Sequence, residues 1–215
     1  MYSERISFWR RQDFVLGNII FLIALGGWVL FPKQNELFHS LAVSLLFFVA
    51  FPILAIRLVL KHSFAEYGFT WGNWKQGLIW TLCGWLILSV CLVGFFQLTH
   101  PTAELFVPVA LRKSFVLFLS YTAVMAIILF GIEVLFRGLL LNVWKKYIGV
   151  WSILPQAICY WGVVSYRGTP ESVVVLIGIP LCAGWVMWRS RSVWFSFLFS
   201  FGASILVSSL AIIFL

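Results

Sequence analysis

The amino-acid sequence predicts an all-α, polytopic membrane protein of about seven transmembrane helices with a cytoplasmic N-terminus, and three observations predict it. The 215 residues are 62% hydrophobic and 10% charged, where soluble domains carry about a quarter charged residues. The mean hydropathy is +1.02. The apolar residues also fall into long runs, several of them near the roughly 20 residues with which an α-helix crosses a hydrocarbon core. The net charge of +8 does not argue for nucleic acid, because the basic residues stand at the ends of apolar runs rather than in one patch. The lipid bilayer is the expected partner, and no nucleic acid is.

Residues 1–12, with Phe8 and Trp9 beside Arg10 and Arg11, read as a short interfacial segment. The first span follows at 14–32 and the second at 38–60, with a kink expected at Pro52. No small-residue cleavage site follows the first apolar run, so this helix is expected to be retained. A connector over 62–77, rich in Gly and aromatic residues, reads as a loop or short surface helix at headgroup level, and the third span is 77–98. The segment 98–114 holds Pro101 and Pro108 and suits a short re-entrant or interfacial piece. The remaining spans are 115–143, 151–166, 172–188 and 193–214. Cys83, Cys91, Cys159 and Cys182 lie in apolar segments without a CxxC pair, and read as small buried hydrophobes.

With the N-terminus inside, the inner connections carry Arg5, Arg10, Arg11, Arg57, Lys61, Lys75, Lys145, Lys146, Arg189 and Arg191. The outer ones carry only Lys33, Arg112, Lys113 and Arg167, which sets the orientation by the excess of cytoplasmic Lys and Arg. The chain is expected in the bacterial inner (cytoplasmic) membrane as one membrane domain, 1–215. No internal repeat is visible.

The stretch that organises the chain is Ser114 to Trp144, an apolar run interrupted by Glu133 and Arg137. Four residues apart, they share a helix face. Ionised groups facing lipid are costly, so the pair is expected to look inward. It is either a functional site or a structural clip in which Arg137 snorkels to the headgroups.

Around this pair the residues resemble a known family. The segment Ile132 to Leu141, IEVLFRGLLL, is similar to the EExxFRG signature of the CPBP family, the CAAX-prenyl endopeptidases and bacteriocin-processing or abortive-infection intramembrane proteases. In register with it, ICYWGVVSY falls at the family's FxxxH motif and RSRSVWFSFLFSFGAS at its basic turn and HxxxN motif, so that 110–210 forms a CPBP-like core.

The resemblance implies an active site at Ile132, Glu133, Arg137, Trp161, Ser165, Ser200 and Ser204, in degenerate form. Ile132 stands for the family's water-activating glutamate, while Glu133 and Arg137 are kept. Trp161 and Ser165 replace the phenylalanine and histidine of the second motif, and Ser200 and Ser204 the histidine and asparagine of the third. Isoleucine has no lone pair and serine does not titrate near neutrality, so no catalytic residue is assigned; each lost acid–base group is worth about 100- to 10,000-fold in rate.

A serine nucleophile would need an adjacent base, and His39, His62 and His100 all belong to the first three spans or their ends. No HExxH or clustered His/Cys set is present, so neither metal nor cofactor is expected. The three serines also suit close helix packing, with Gly202 beside two of them. The expected function is a catalytically inactive CPBP-like protein, a membrane scaffold or the partner-binding subunit of an envelope complex, holding a membrane protein or transmembrane helix. The alternatives are an active glutamate-dependent endopeptidase, of CAAX, bacteriocin-processing or self-immunity type, and a small-ligand transporter.

Overall fold

The computed structural model describes residues 2–32, 36–99, 114–165 and 172–214, and these are helical throughout apart from the turns. Helices stand at all seven apolar runs: α1 (Tyr2–Leu30), α2 (36–58), α3 (Trp74–Thr99), α4 (115–148), α5 (Ile153–Ser165), α6 (Ser172–Ser190) and α7 (Val193–Phe214). Among the described residues five stretches are long and apolar enough to cross a bilayer: Gln12–Leu30, Phe38–Leu58, Trp74–Leu98, Phe115–Val163, which takes in α4 and α5, and Val193–Ile213. The chain is a polytopic helical membrane protein. The described part of α5 has 13 residues, which at 1.5 Å each is about 20 Å, less than the roughly 30 Å hydrocarbon core.

Several local expectations change. Residues 2–12 continue without a break into the first span, so α1 is one helix of 29 residues. Pro52 stands at the opening of the last part of α2, Phe51–Leu58, after a π-helical stretch, Ser44–Ala50. The wider π turn accommodates a residue that has no N–H and whose ring crowds the preceding turn. The connector is a short 3-10 turn, Phe64–Tyr67, closed by a capping box in which the Ser63 N–H donates to Glu66 Oε1 at 3.1 Å. α3 begins at Trp74, three residues early. Cys83 and Cys91 are exposed rather than buried, which costs nothing against lipid tails. The segment expected to be re-entrant falls mainly on 100–113, outside the described residues.

α4 is the central element because it packs on both sides. Toward α1, α2 and α5 its Leu135, Phe136 and Leu139 join Ile20, Phe21, Ile56 and Tyr160 in one buried cluster. On the other side Val134 and Leu141 meet Met187 of α6 and Val193 of α7. Every residue from Val134 to Leu141 is buried, whereas a helix at the edge would leave one face outside. A third cluster joins α3, α6 and α7 through Leu92, Phe96, Val186 and Phe199. There α3 and α7 approach so closely that a Cβ on Gly202 would lie 2.3 Å from the Trp85 indole, and Trp85 Nε1 donates to the Phe199 carbonyl at 3.0 Å.

Candidate active site

The inner part of α4 leaves α-helical geometry where the charges stand. Glu133 ends the α-helical part and Val134–Leu141, which contains Arg137, is π-helical. Wider turns of this kind shift hydrogen bonding by one residue and occur often at functional sites. Asn142 supports the distortion: its buried Nδ2 donates to the carbonyls of Arg137 at 3.0 Å and Gly138 at 2.9 Å.

Glu133 is 1% and Arg137 0% exposed. The arginine therefore does not snorkel; its head stays inside the bundle. Arg137 Nη1 lies 3.0 Å from Glu133 Oε1, but none of the guanidinium nitrogens has a partner in hydrogen-bond geometry among the described residues. The attraction is Coulombic rather than a directed bond. The guanidinium carbon sits 4.7 Å over the Tyr160 ring of α5, a face that attracts a cation and asks for no acceptor.

The carboxylate, by contrast, is closely held. Ser200 Oγ donates to Oε1 at 2.7 Å, and Ser196 Oγ lies in a very short contact with Oε2. The Ser196 hydroxyl is also 3.1 Å from the Ala183 carbonyl of α6. Having one proton to give, it serves the charged acceptor better, since bonds to ionised groups are the stronger ones. Two serines of α7 and an arginine of α4 thus converge on one buried carboxylate.

None of the other positions singled out by sequence has a described hydrogen bond to the Glu133 carboxylate. Ile132 is half-buried and packs on the α1, α2 and α5 cluster. Trp161 is half-buried, and its Nε1 has no hydrogen-bond partner among the described residues. Ser165 ends α5, and its side chain lies outside the described residues. Ser204 is half-buried and makes no bond to Glu133 among the described contacts.

Ser196 and Tyr160 were not singled out. The signal for Ser196 was present: Ser192, Ser196, Ser200, Ser204 and Ser208 recur every fourth residue along α7. Each such step turns a helix by about 40° beyond a full circle, so the ladder winds around α7 and only neighbouring rungs can face one point. Ser196 and Ser200 are those rungs. No comparable signal marks Tyr160, whose contact with Arg137 crosses from one helix to another.

Residues 112–206 match the family model described as Type II CAAX prenyl endopeptidase Rce1-like. This stretch is thus similar to the CAAX prenyl endopeptidase (CPBP) family. It contains α4 to α7 up to Leu206, and with it the Glu133 centre. No curated protein and no solved structure matches the chain. The match suggests a CAAX-type intramembrane protease fold, and the matched stretch includes Glu133 and Arg137. Among the described residues no group of three or more His, Cys, Asp or Glu side chains is placed to hold a metal ion.

Proposed function

We propose that the chain is a catalytically inactive CPBP-like protein, acting in the bacterial inner membrane as a scaffold or as the partner-binding subunit of an envelope complex. The observation that carries this reading is the state of Glu133, whose two oxygens are taken by Ser200, Ser196 and the Arg137 charge. A general base needs a lone pair free to take a proton from water within hydrogen-bond reach. Here each carboxylate oxygen already accepts from a serine of α7, which ties α4 to α7. Ile132, at the position of the family's other acid, has nothing to offer a proton, and Ser200 donates toward the carboxylate rather than standing ready as a histidine would.

The outer surface supports a role in association. Leu86, Val90, Leu98, Phe115, Val116 and Ile213 are among its exposed apolar side chains, and such a surface serves lipid and a partner helix alike. The test has two arms. Purified protein is incubated with a prenylated CAAX-type peptide and a transmembrane peptide, and products are read by mass spectrometry; gentle solubilisation followed by affinity capture looks for a stoichiometric partner. No cleavage above the buffer control, with a recovered partner, is the expected result. Turnover that disappears on Glu133→Gln would establish the active endopeptidase instead.

A further inference from the structure

An open cleft of about 810 Å³ lies between the start of α3 and the α6–α7 turn, with Asn73, Trp74, Lys75, Trp188, Arg189 and Arg191 in its lining. Its lining carries three cations and no acid. A smaller cleft of about 350 Å³ shares Arg191 and adds Lys145 and Glu66. Among the described residues none of Lys75, Lys145, Arg189 or Arg191 stands within ion-pair distance of a carboxylate. Their neighbours are indole faces: Lys75 lies 5.9 Å from the Trp74 centroid, Lys145 4.8 Å from Trp188, and Arg189 5.4 Å from Trp80 and 5.8 Å from Trp185. Like charges gathered without a counter-ion repel, so the arrangement favours an anion supplied from outside.

The walls are fixed by backbone. The Asn73 N–H donates to the Ser190 carbonyl at 2.8 Å, the Val193 N–H to Gly68 at 2.9 Å and the Arg191 N–H to Met187 at 2.8 Å. Arg191 is held at φ 56°, a left-handed conformation that is costly for a residue with a side chain. Gly72, at φ +51°, has no room for a Cβ, which would stand 2.1 Å from the Ser190 oxygen. Asn73 Oδ1 accepts from the Gln76 N–H at 3.2 Å and caps α3, whose positive N-terminal end opens on the same cleft. Four tryptophans at this level, on α3 and α6, mark the depth of the lipid headgroups.

The geometry points to this cleft as a site for the phosphate of an anionic phospholipid headgroup, on the face that the charge distribution assigns to the cytoplasm. Arg189, Arg191 and Lys75 hold the phosphate, and Trp74 and Trp188 border the glycerol region. The site lies apart from Glu133 and stands whether or not the chain cuts peptides.

The experiment titrates the detergent-purified full chain with dioctanoyl phosphatidylglycerol, dioctanoyl phosphatidylcholine or inorganic phosphate, and reads bound lipid by native mass spectrometry. Phosphatidylglycerol is expected to bind about tenfold more tightly than phosphatidylcholine. Arg189→Gln with Arg191→Gly should weaken its binding by about 30-fold, while Arg57→Gln, an exposed cation of α2 outside the cleft, leaves it unchanged. Glycine accepts the φ of position 191 without strain, so Arg191→Gly alone should fold and still lose part of the affinity. Equal binding of the two lipids, a preference that survives the double variant, or an equal loss with Arg57→Gln would overturn the site. Displacement of the lipid by inorganic phosphate at the same concentration would overturn its assignment to lipid.

Discussion

At Glu133 the chain takes a carboxylate and a guanidinium out of contact with water and gives the carboxylate two hydroxyls and a cation. At the α3 cleft it places cations at the exposed end of the bundle and gives them tryptophan faces but no acid. The same side-chain types serve opposite ends because the surroundings differ. In a dry interior an uncompensated charge costs several kcal/mol, roughly, so partners must come from the chain itself. At the interface water and headgroups carry that cost, and the charge stays available to a ligand. The buried Glu133–Arg137 pair thus acts as a fastener, while the cations of the α3 cleft stay open to a ligand.

The sharpest way to break that contrast is to remove one side of the buried pair. Arg137→Met should lower stability by about 3–5 kcal/mol, because it removes one partner of a buried pair and leaves Glu133 without the opposing charge. Glu133→Leu combined with Arg137→Met should recover most of the loss, since apolar replacement of a whole buried pair is often neutral. Denaturant unfolding in a fixed detergent measures both. If Glu133→Ala or Arg137→Met alone leaves stability unchanged, the pair is not holding the helices.

The carboxylate's hydroxyl partners come next. Ser200→Ala should cost about 1.5–3 kcal/mol, the range for a hydrogen bond to an ionised group. Ser204→Ala, one rung further around α7 and without a bond to Glu133, should change stability by less than about 0.5 kcal/mol. Similar losses at the two positions would mean that the serine ladder acts through packing rather than through Glu133.

How much of this was legible in the sequence follows from distance along the chain. Hydropathy marked a helix at each apolar run because burial in lipid is written locally, although among the described residues five stretches, where seven were expected, are long and apolar enough to cross a bilayer. The Glu133–Arg137 pair was legible because helix geometry turns a spacing of four into a shared face, and Ser200 because it stands at a motif position. Tyr160 was not, since its ring meets Arg137 across two helices and nothing in local spacing encodes that. The cleft was hidden for the same reason: Lys75 and Arg189 are 114 positions apart (189 − 75), and each taken singly is an ordinary basic residue at a helix end. The π-helical turns were hidden as well, because their hydrogen-bond shift has no distinct hydrophobic period.

On the cleft side, Gly72→Ala tests the wall rather than the charge. At φ +51° with the Ser190 carbonyl 2.1 Å from the added carbon, the loop must detach from the α6–α7 turn, at a cost of about 1–3 kcal/mol. Lipid binding should fall with it even though every cation remains. Unchanged affinity would show that the cleft does not depend on the backbone bonds between residues 68–73 and 190–193.

A small, pH-dependent effect belongs to Glu66, near the rim of the smaller cleft. Partial burial acts to raise its pKa, but the Ser63 hydroxyl and amide and the His62 charge, together with Lys146, lower it below the ordinary carboxylate value. A carboxylate whose folded-state pKa is depressed contributes stability above its unfolded value, near pH 4.5, and loses it as pH falls through the folded one. Because the group is largely exposed, the contribution should stay under about 1 kcal/mol. The melting temperature of Glu66→Gln should therefore lie slightly below wild type at pH 6 and converge with it below pH 4. A difference that grows on acidification would reverse the sign and show that Glu66 strains the 63–67 turn instead of closing it.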